Sequence, residues 1–317
     1  MFEQATTEQA HAVLAAAHRV VRTGPPADDP RSGRGDGVVI AAGRLLFTPA
    51  VEVDVRTLPR IEPQDLARAV GDNRDLAEHA AALIACASLA DGVADPERLR
   101  LVVQYAPARH VRDGGVREIL QVARGHLAWA MADMTRRNVA TFPGFANPDD
   151  TLQPMQPYAA QTDEHKALAA RFLALEACPE NTFGHQFWVH FRKHGFDFPG
   201  QPDAFAGVWS VRHDGLHVLS GYDTSIQGEL LVSTFTGGMH RRDALRAHIL
   251  PVIFEWHVGV EVNGIGAQRG ALDPVKFLIS WQRGDATTTD VLAPGWDFFD
   301  VAHCDLEELR ARYGIAN

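Results

Sequence analysis

Val211-Arg212-His213-Asp214-Gly215-Leu216-His217-Val218-Leu219-Ser220-Gly221 is the stretch on which the reading of this chain turns. Together with Glu229 it places two imidazoles and two carboxylates within seventeen residues. On a helix that advances about 100° per residue, His213 and His217 stand about 40° apart, and Asp214 brings a third donor to the same side. Gly221 suits the residue just past a helix C-terminus, and Thr224-Ser225-Ile226-Gln227 has the form of a capping box. Glu229 is therefore expected in the first turns of a following helix, where an antiparallel helix pair would close a four-donor cage.

Neutral imidazole nitrogen with carboxylate oxygen suits zinc, iron(II) or manganese, whereas calcium prefers oxygen alone. No sulfur donor belongs to the set, which argues against a purely structural zinc site. The competing reading is plainer: a hydrogen bond between His213 and Asp214 on a helix surface, with His217 an ordinary half-buried histidine. Four donors and a glycine-bounded turn favour the metal.

These residues also carry a resemblance. His213-Asp214-x-x-His217, eleven residues and then Glu229 resembles the zinc motif of the fourth coenzyme Q biosynthesis protein, the Coq-four family. Asn181-Thr182-Phe183-Gly184-His185-Gln186-Phe187 is similar to that family's Gly-Thr/Ser-Phe/Leu-Gly-Arg-Glu-Tyr segment. The tail Leu306-Glu307-Glu308-Leu309-Arg310-Ala311-Arg312-Tyr313-Gly314-Ile315 is similar to its closing Leu-x-x-x-Arg-x-x-x-Gly-Ile. The resemblance spans about 167–317. It implies an all-helical domain that binds a polyprenylated hydroxybenzoate and removes its carboxyl group oxidatively, leaving a hydroxyl on that ring carbon. It further implies that His213, Asp214, His217 and Glu229 are both metal ligands and catalytic residues, with zinc the metal as purified and iron or manganese the alternatives.

The 317 residues, 46% hydrophobic and 22% charged, are ordinary for a globular protein and long enough for two domains. A net charge of −10 and a pI of about 5.8 disfavour nucleic acid, whose phosphates need clustered cations. Cys86, Cys178 and Cys304 form neither a disulfide framework nor a metal knuckle. No apolar run is long enough to span a bilayer, and Glu3 and Glu8 stand where an export signal would be basic. A reducing cytoplasm is the expected compartment, with peripheral contact at the inner membrane. A homo-oligomer is the expected assembly, and other quinone-biosynthesis proteins are expected partners.

The expected fold is mostly α: a C-terminal all-helical metal-binding domain over 162–317 and an N-terminal helical region carrying a short β-hairpin. Residues 1–60 read as a helix from Thr6 or Thr7 to Val21, a loop from Thr23 to Gly37, and then the runs Val38-Val39-Ile40-Ala41, Leu45-Leu46-Phe47 and Val51-Glu52-Val53-Asp54-Val55, which predict one or two short strands forming a small hairpin. Residues 61–145 predict helices; Asp95 reads as an N-cap with Pro96 in the first turn. The Ala90-Asp91-Gly92-x-x-Asp95 pattern resembles tellurite-resistance (TerB-like) helical bundles and would let Asp91, Asp95 and Glu97 hold a cation. Turn formers accumulate across 146–161, which predicts a linker. Beyond it, Asp203 is expected to cap the helix that bears the histidines, and Arg242 to Val258 to form a helix kinked at Pro251. The apolar helical faces exceed the needs of one small core, so a groove for an isoprenoid tail is expected near the metal.

Two further function classes fit the same residues. One is a non-catalytic prenyl-lipid-binding scaffold, in which the metal would serve folding. The other is metal-dependent hydrolysis, because His-Asp-x-x-His resembles the H-E-x-x-H of zinc proteases, and the His-Asp dipeptide resembles HD-domain phosphohydrolases, for which His190 or His194 would be the added histidine.

Overall fold

Apolar side chains recur at helical spacing along nearly every segment, and helix is what forms. The computed structural model describes residues 2, 4–24, 33–106, 115–145, 158–260 and 267–316. Among them are fifteen α-helices and no strand; isolated bridges pair only Phe2 with Phe47, Thr182 with Asp305, and Val258 with Arg269. No described helix is long and apolar enough to cross a membrane. In order the helices are α1 (Thr7–Val21), α2 (Arg34–Leu46), α3 (Pro63–Val70), α4 (Arg74–Ser88), α5 (Pro96–Tyr105), α6 (Gly115–Ala123), α7 (Leu127–Val139), α8 (Asp163–Leu173), α9 (Phe183–His194), α10 (Gly207–Ser220), α11 (Ile226–His240), α12 (Leu250–Trp256), α13 (Pro274–Asp285), α14 (Phe298–Val301) and α15 (Leu306–Tyr313). Most of the expected 146–161 linker lies outside the described residues; 158–160 form a turn.

Two compact units result: Met1–Arg137 with Ser225–Asp285, and Asn138–Thr224 with Ala286–Asn317. In the first, α1, α2 and α4 bury alanine-rich faces in one core that also takes in Leu230, Ile253, Phe277 and Trp281 from α11, α12 and α13. Helices α11 and α13 approach closely where glycines replace side chains. A Cβ on Gly284 would collide with the Phe235 carbonyl oxygen, and one on Gly238 with that of Trp281. Backbone cannot step aside, so Gly284→Ala should destabilise by ~1–3 kcal/mol through overpacking despite alanine's better helix propensity. Urea unfolding would register this as a lower midpoint, and an unchanged midpoint would mean that the helices separate at no cost.

The hairpin expected within 38–55 does not form. Val38, Val39, Ala41, Ala42 and Leu46 are buried at helical spacing along α2, and 51–54 has no regular structure, with Val55 in a turn. The strand preference of β-branched residues amounts to about 1 kcal/mol at most, so burial of a helical face overrides it. Gly43 marks where the following segment crosses α2, its carbonyl accepting from Val51 N at 2.8 Å.

Other expectations carry through to particular bonds. Asp95 caps α5 by accepting from Arg98 N at 2.8 Å, with Pro96 in the first turn. Asp91 pairs with buried Arg98 at 2.7 Å, so these carboxylates serve protein partners in place of a cation. Toward Pro251 the helix widens into a π-turn over Leu245–Ile249, where Leu250 N reaches back to the Leu245 carbonyl, and α12 continues from it.

In the second unit the core is aromatic. Phe172, Phe183, Phe187 and Phe298 from α8, α9 and α14 pack with ring centroids 4.7–5.9 Å apart. Gly184 lets α9 approach the Ala302 carbonyl, to which its own N–H donates at 2.7 Å.

Candidate metal centre

The histidines lie on α10, which the rest of its unit grips at both ends. At the N-terminus Ala206 is the cap residue and offers no side-chain acceptor. The Tyr158 hydroxyl accepts from Gly207 N at 2.9 Å instead, which is why the helix begins at Gly207 and not beside the expected cap Asp203. At the C-terminus Gly221 takes the left-handed conformation at φ 78°. From α15, Arg310 donates to the carbonyls of Leu219 at 2.9 Å and Val218 at 2.8 Å, satisfying groups that the helix end leaves open. Midway, Arg212 donates to the carbonyls of Val291 and Trp296, each at 3.0 Å. Burial pulls the Arg212 guanidinium below its ordinary pKa, while Asp297 and Asp290 favour its charged form.

Thus fixed, α10 brings His213 and His217 together. Their Nε2 atoms stand 3.3 Å apart, with the rings edge to face. His217 is buried, and its Nδ1 lies 3.0 Å from the Tyr222 carbonyl. A carbonyl only accepts, so Nδ1 carries the proton and the Nε2 lone pair faces His213. His213 stacks on Trp209, one turn earlier, at 4.6 Å and 17° between planes. Two nitrogens each ~2.0–2.1 Å from a tetrahedral ion would be separated by about 3.3–3.4 Å, so the observed spacing suits a pair of Nε2 ligands.

Asp214 does not point with them. It lies about 60° round the helix from His217, and its Oδ1 is 3.2 Å from Nε2 of His190 on α9. Both side chains are largely buried. The His190 ring stacks in turn on that of His217 at 5.5 Å and 21°, so the His190–Asp214 pair forms one wall beside the imidazole. His194 follows one turn along α9, 4.9 Å from His190 and 3.2 Å from the Thr224 hydroxyl. Its pKa is lowered by burial and by the neighbouring His190. Glu229 sits in the first turn of α11, whose N-cap Ser225 accepts from Gly228 N at 3.1 Å. The cap falls on Ser225, one residue beyond the Thr224 that the capping-box pattern favours. With Ser225, Glu229 belongs to the first compact unit.

An aromatic ledge adjoins the imidazoles. Trp209 lies 6.1 Å from Phe205, which is exposed, and 6.2 Å from Phe142. Sequence reading missed the roles of Tyr158, Tyr222, Trp209 and Arg310 at this site: Tyr158 and Arg310 act from far along the chain, whereas Trp209 and Tyr222 lie within five residues of the histidines they touch. Arg310 alone left a signal, as the arginine of the tail quoted above.

No model of a known protein family matches this chain, and no curated protein matches it.

Proposed function

We propose that this chain is a metal-dependent enzyme of quinone biosynthesis that oxidatively decarboxylates a polyprenylated hydroxybenzoate. The reading rests on the motif resemblance to the Coq-four family, and the observation that carries it is the pair of Nε2 atoms facing each other at 3.3 Å. His213 and His217, with Glu229 as the carboxylate that the motif resemblance supplies, are the proposed ligands of one divalent ion. Bound there, the ion would supply a Lewis acid for a carboxylate or phenolate oxygen.

The chain's own residues have separable tasks. The Tyr222 carbonyl holds the His217 tautomer, and Trp209 restrains the His213 ring, so both nitrogens are oriented before anything binds. Asp214 is the residue that orients His190. The ledge of Phe205, Trp209 and Phe142 offers flat apolar faces against which an aromatic ring can stack. In the overall reaction the ring carboxyl leaves as carbon dioxide, a hydroxyl with its oxygen from water takes its place, and the two electrons given up by the ring reduce dioxygen to hydrogen peroxide.

The test is turnover of a prenylated hydroxybenzoate by the purified, metal-loaded protein under oxygen, followed by carbon dioxide release and by the mass of the product. Glu229→Gln keeps the shape of the side chain and removes its charge, and should lower turnover by about tenfold or more with the melting temperature unchanged. A fully active Glu229→Gln protein would count for the lipid-binding scaffold, and so would a wild-type protein that releases no carbon dioxide.

A further inference from the structure

Away from the histidines, the first compact unit contains a cavity of ≈550 Å³ walled by the end of α1, residues 58–60 and the outer face of α5. Its charge runs against that of the chain. Arg19, Arg22, Arg60 and Arg100 line it, with Glu97 the one carboxylate in its wall, in a protein of net charge −10. Helix α1 accounts for part of this, since cations in a last turn complement the helix dipole. It does not account for Arg60 or Arg100, which come from a loop and from the exposed face of another helix.

The four guanidinium groups differ in how far they are committed. Arg19 is pinned: it donates to the Ile61 carbonyl at 2.6 Å and the Tyr105 hydroxyl at 3.2 Å, and pairs with Glu62 at 2.7 Å. Tyr105 donates to the same carbonyl at 2.5 Å, so this knot holds the 58–61 segment across α1 and α5. The others are loosely held. Arg22 reaches Asp36 only at 3.8 Å, Arg60 reaches Glu62 at 3.4 Å, and Arg100 makes a long 3.5 Å bond to the Ala123 carbonyl. Three forked donors, weakly engaged, thus surround a space of the size that small molecules occupy.

We propose that this cavity binds a small polyanion, a molecule that presents two or more phosphate or carboxylate groups to Arg22, Arg60 and Arg100 over the fixed cation of Arg19. Guanidinium groups pair with either anion through parallel hydrogen bonds, and the concave setting concentrates their field. This site is independent of the metal centre and of the function proposed for it.

Calorimetric titration of the full-length protein with pyrophosphate, and separately with citrate, tests the proposal and tells phosphate from polycarboxylate. Saturable binding at one equivalent is expected for at least one probe, weakening as salt is raised. Arg22→Gln and Arg100→Gln should each lower the affinity about tenfold, the loss of roughly one charge-assisted hydrogen bond. Both positions are exposed, so the fold should survive, and melting curves check that. Arg124→Gln, at an exposed arginine that does not line the cavity, serves as the control. Absence of saturable binding by either probe overturns the proposal, as does binding that Arg22→Gln and Arg100→Gln leave at wild-type strength.

Discussion

The His217→Ala protein is expected to fold and to hold no metal. His217 Nε2 is one of two nitrogens set at a ligand-pair spacing, and its Nδ1 bond to the Tyr222 carbonyl is what keeps that nitrogen aimed. Removing the ring removes a ligand outright, so affinity should fall by more than the roughly 10–100-fold that loss of an outer partner costs. Elemental analysis after dialysis against a defined free-metal buffer gives the stoichiometry. Because His217 is buried, His213→Ala at a half-buried position provides the same test with less risk to folding. Asp214→Asn, which disturbs only the contact to His190, should fall in the milder range. Stoichiometric metal in both histidine variants would end the assignment.

The second large effect concerns pH and lies in the other unit. Glu118 on α6 is sealed from solvent, and burial, reinforced by the neighbouring Asp133 carboxylate, pushes its pKa from 4.5 up to about 7. Asp133 moves the other way: burial works against its charge, but the hydrogen bonds from Arg136 and Glu118 together with the charges of Arg136 and Arg137 lower its pKa below the ordinary value. Between pH 4.5 and 7 the folded protein therefore keeps a proton on Glu118 that the unfolded chain releases. The contribution of Glu118 to stability is full below that window, declines as pH rises through it, and levels off above 7. At about 1.4 kcal/mol per pKa unit the decline amounts to roughly 3 kcal/mol. Glu118→Gln carries no proton to lose, so between pH 5 and 8 the urea midpoint of the wild type should fall relative to that of the variant, the background titration of the histidines being common to both. Parallel curves for the two proteins would refute the assignment.

How much of this was legible in the sequence depended on whether the cause was local. The helical class, the Asp95 cap with Pro96 behind it, Gly221 as a helix stop and the His213–His217 pairing all follow from residues within a turn or two of one another. The hairpin reading failed at Val38–Ala41, where a local preference for strand was outweighed by packing partners far away in sequence. Asp214 illustrates the limit within the motif itself. Helical spacing gives its angle on α10, but only the position of His190 on another helix shows what it meets. The start of α10 had the same origin, because its first N–H is satisfied by Tyr158, 49 residues upstream.

The interleaving of the two units bears on how the protein is made. The first unit's opening segment ends at Arg137, and its closing segment ends at Asp285, after 285 − 137 = 148 further residues. At a ribosomal rate of about 5–20 residues per second, that is a delay of roughly 7–30 s. The core shared by α1, α2 and α4 stays incomplete until the last of α11, α12 and α13 has been made, while Asn138–Thr224 of the second unit emerges in between. The nascent protein thus exposes alanine- and valine-rich surface for far longer than helix formation requires, and the interval is one in which a chaperone can bind it.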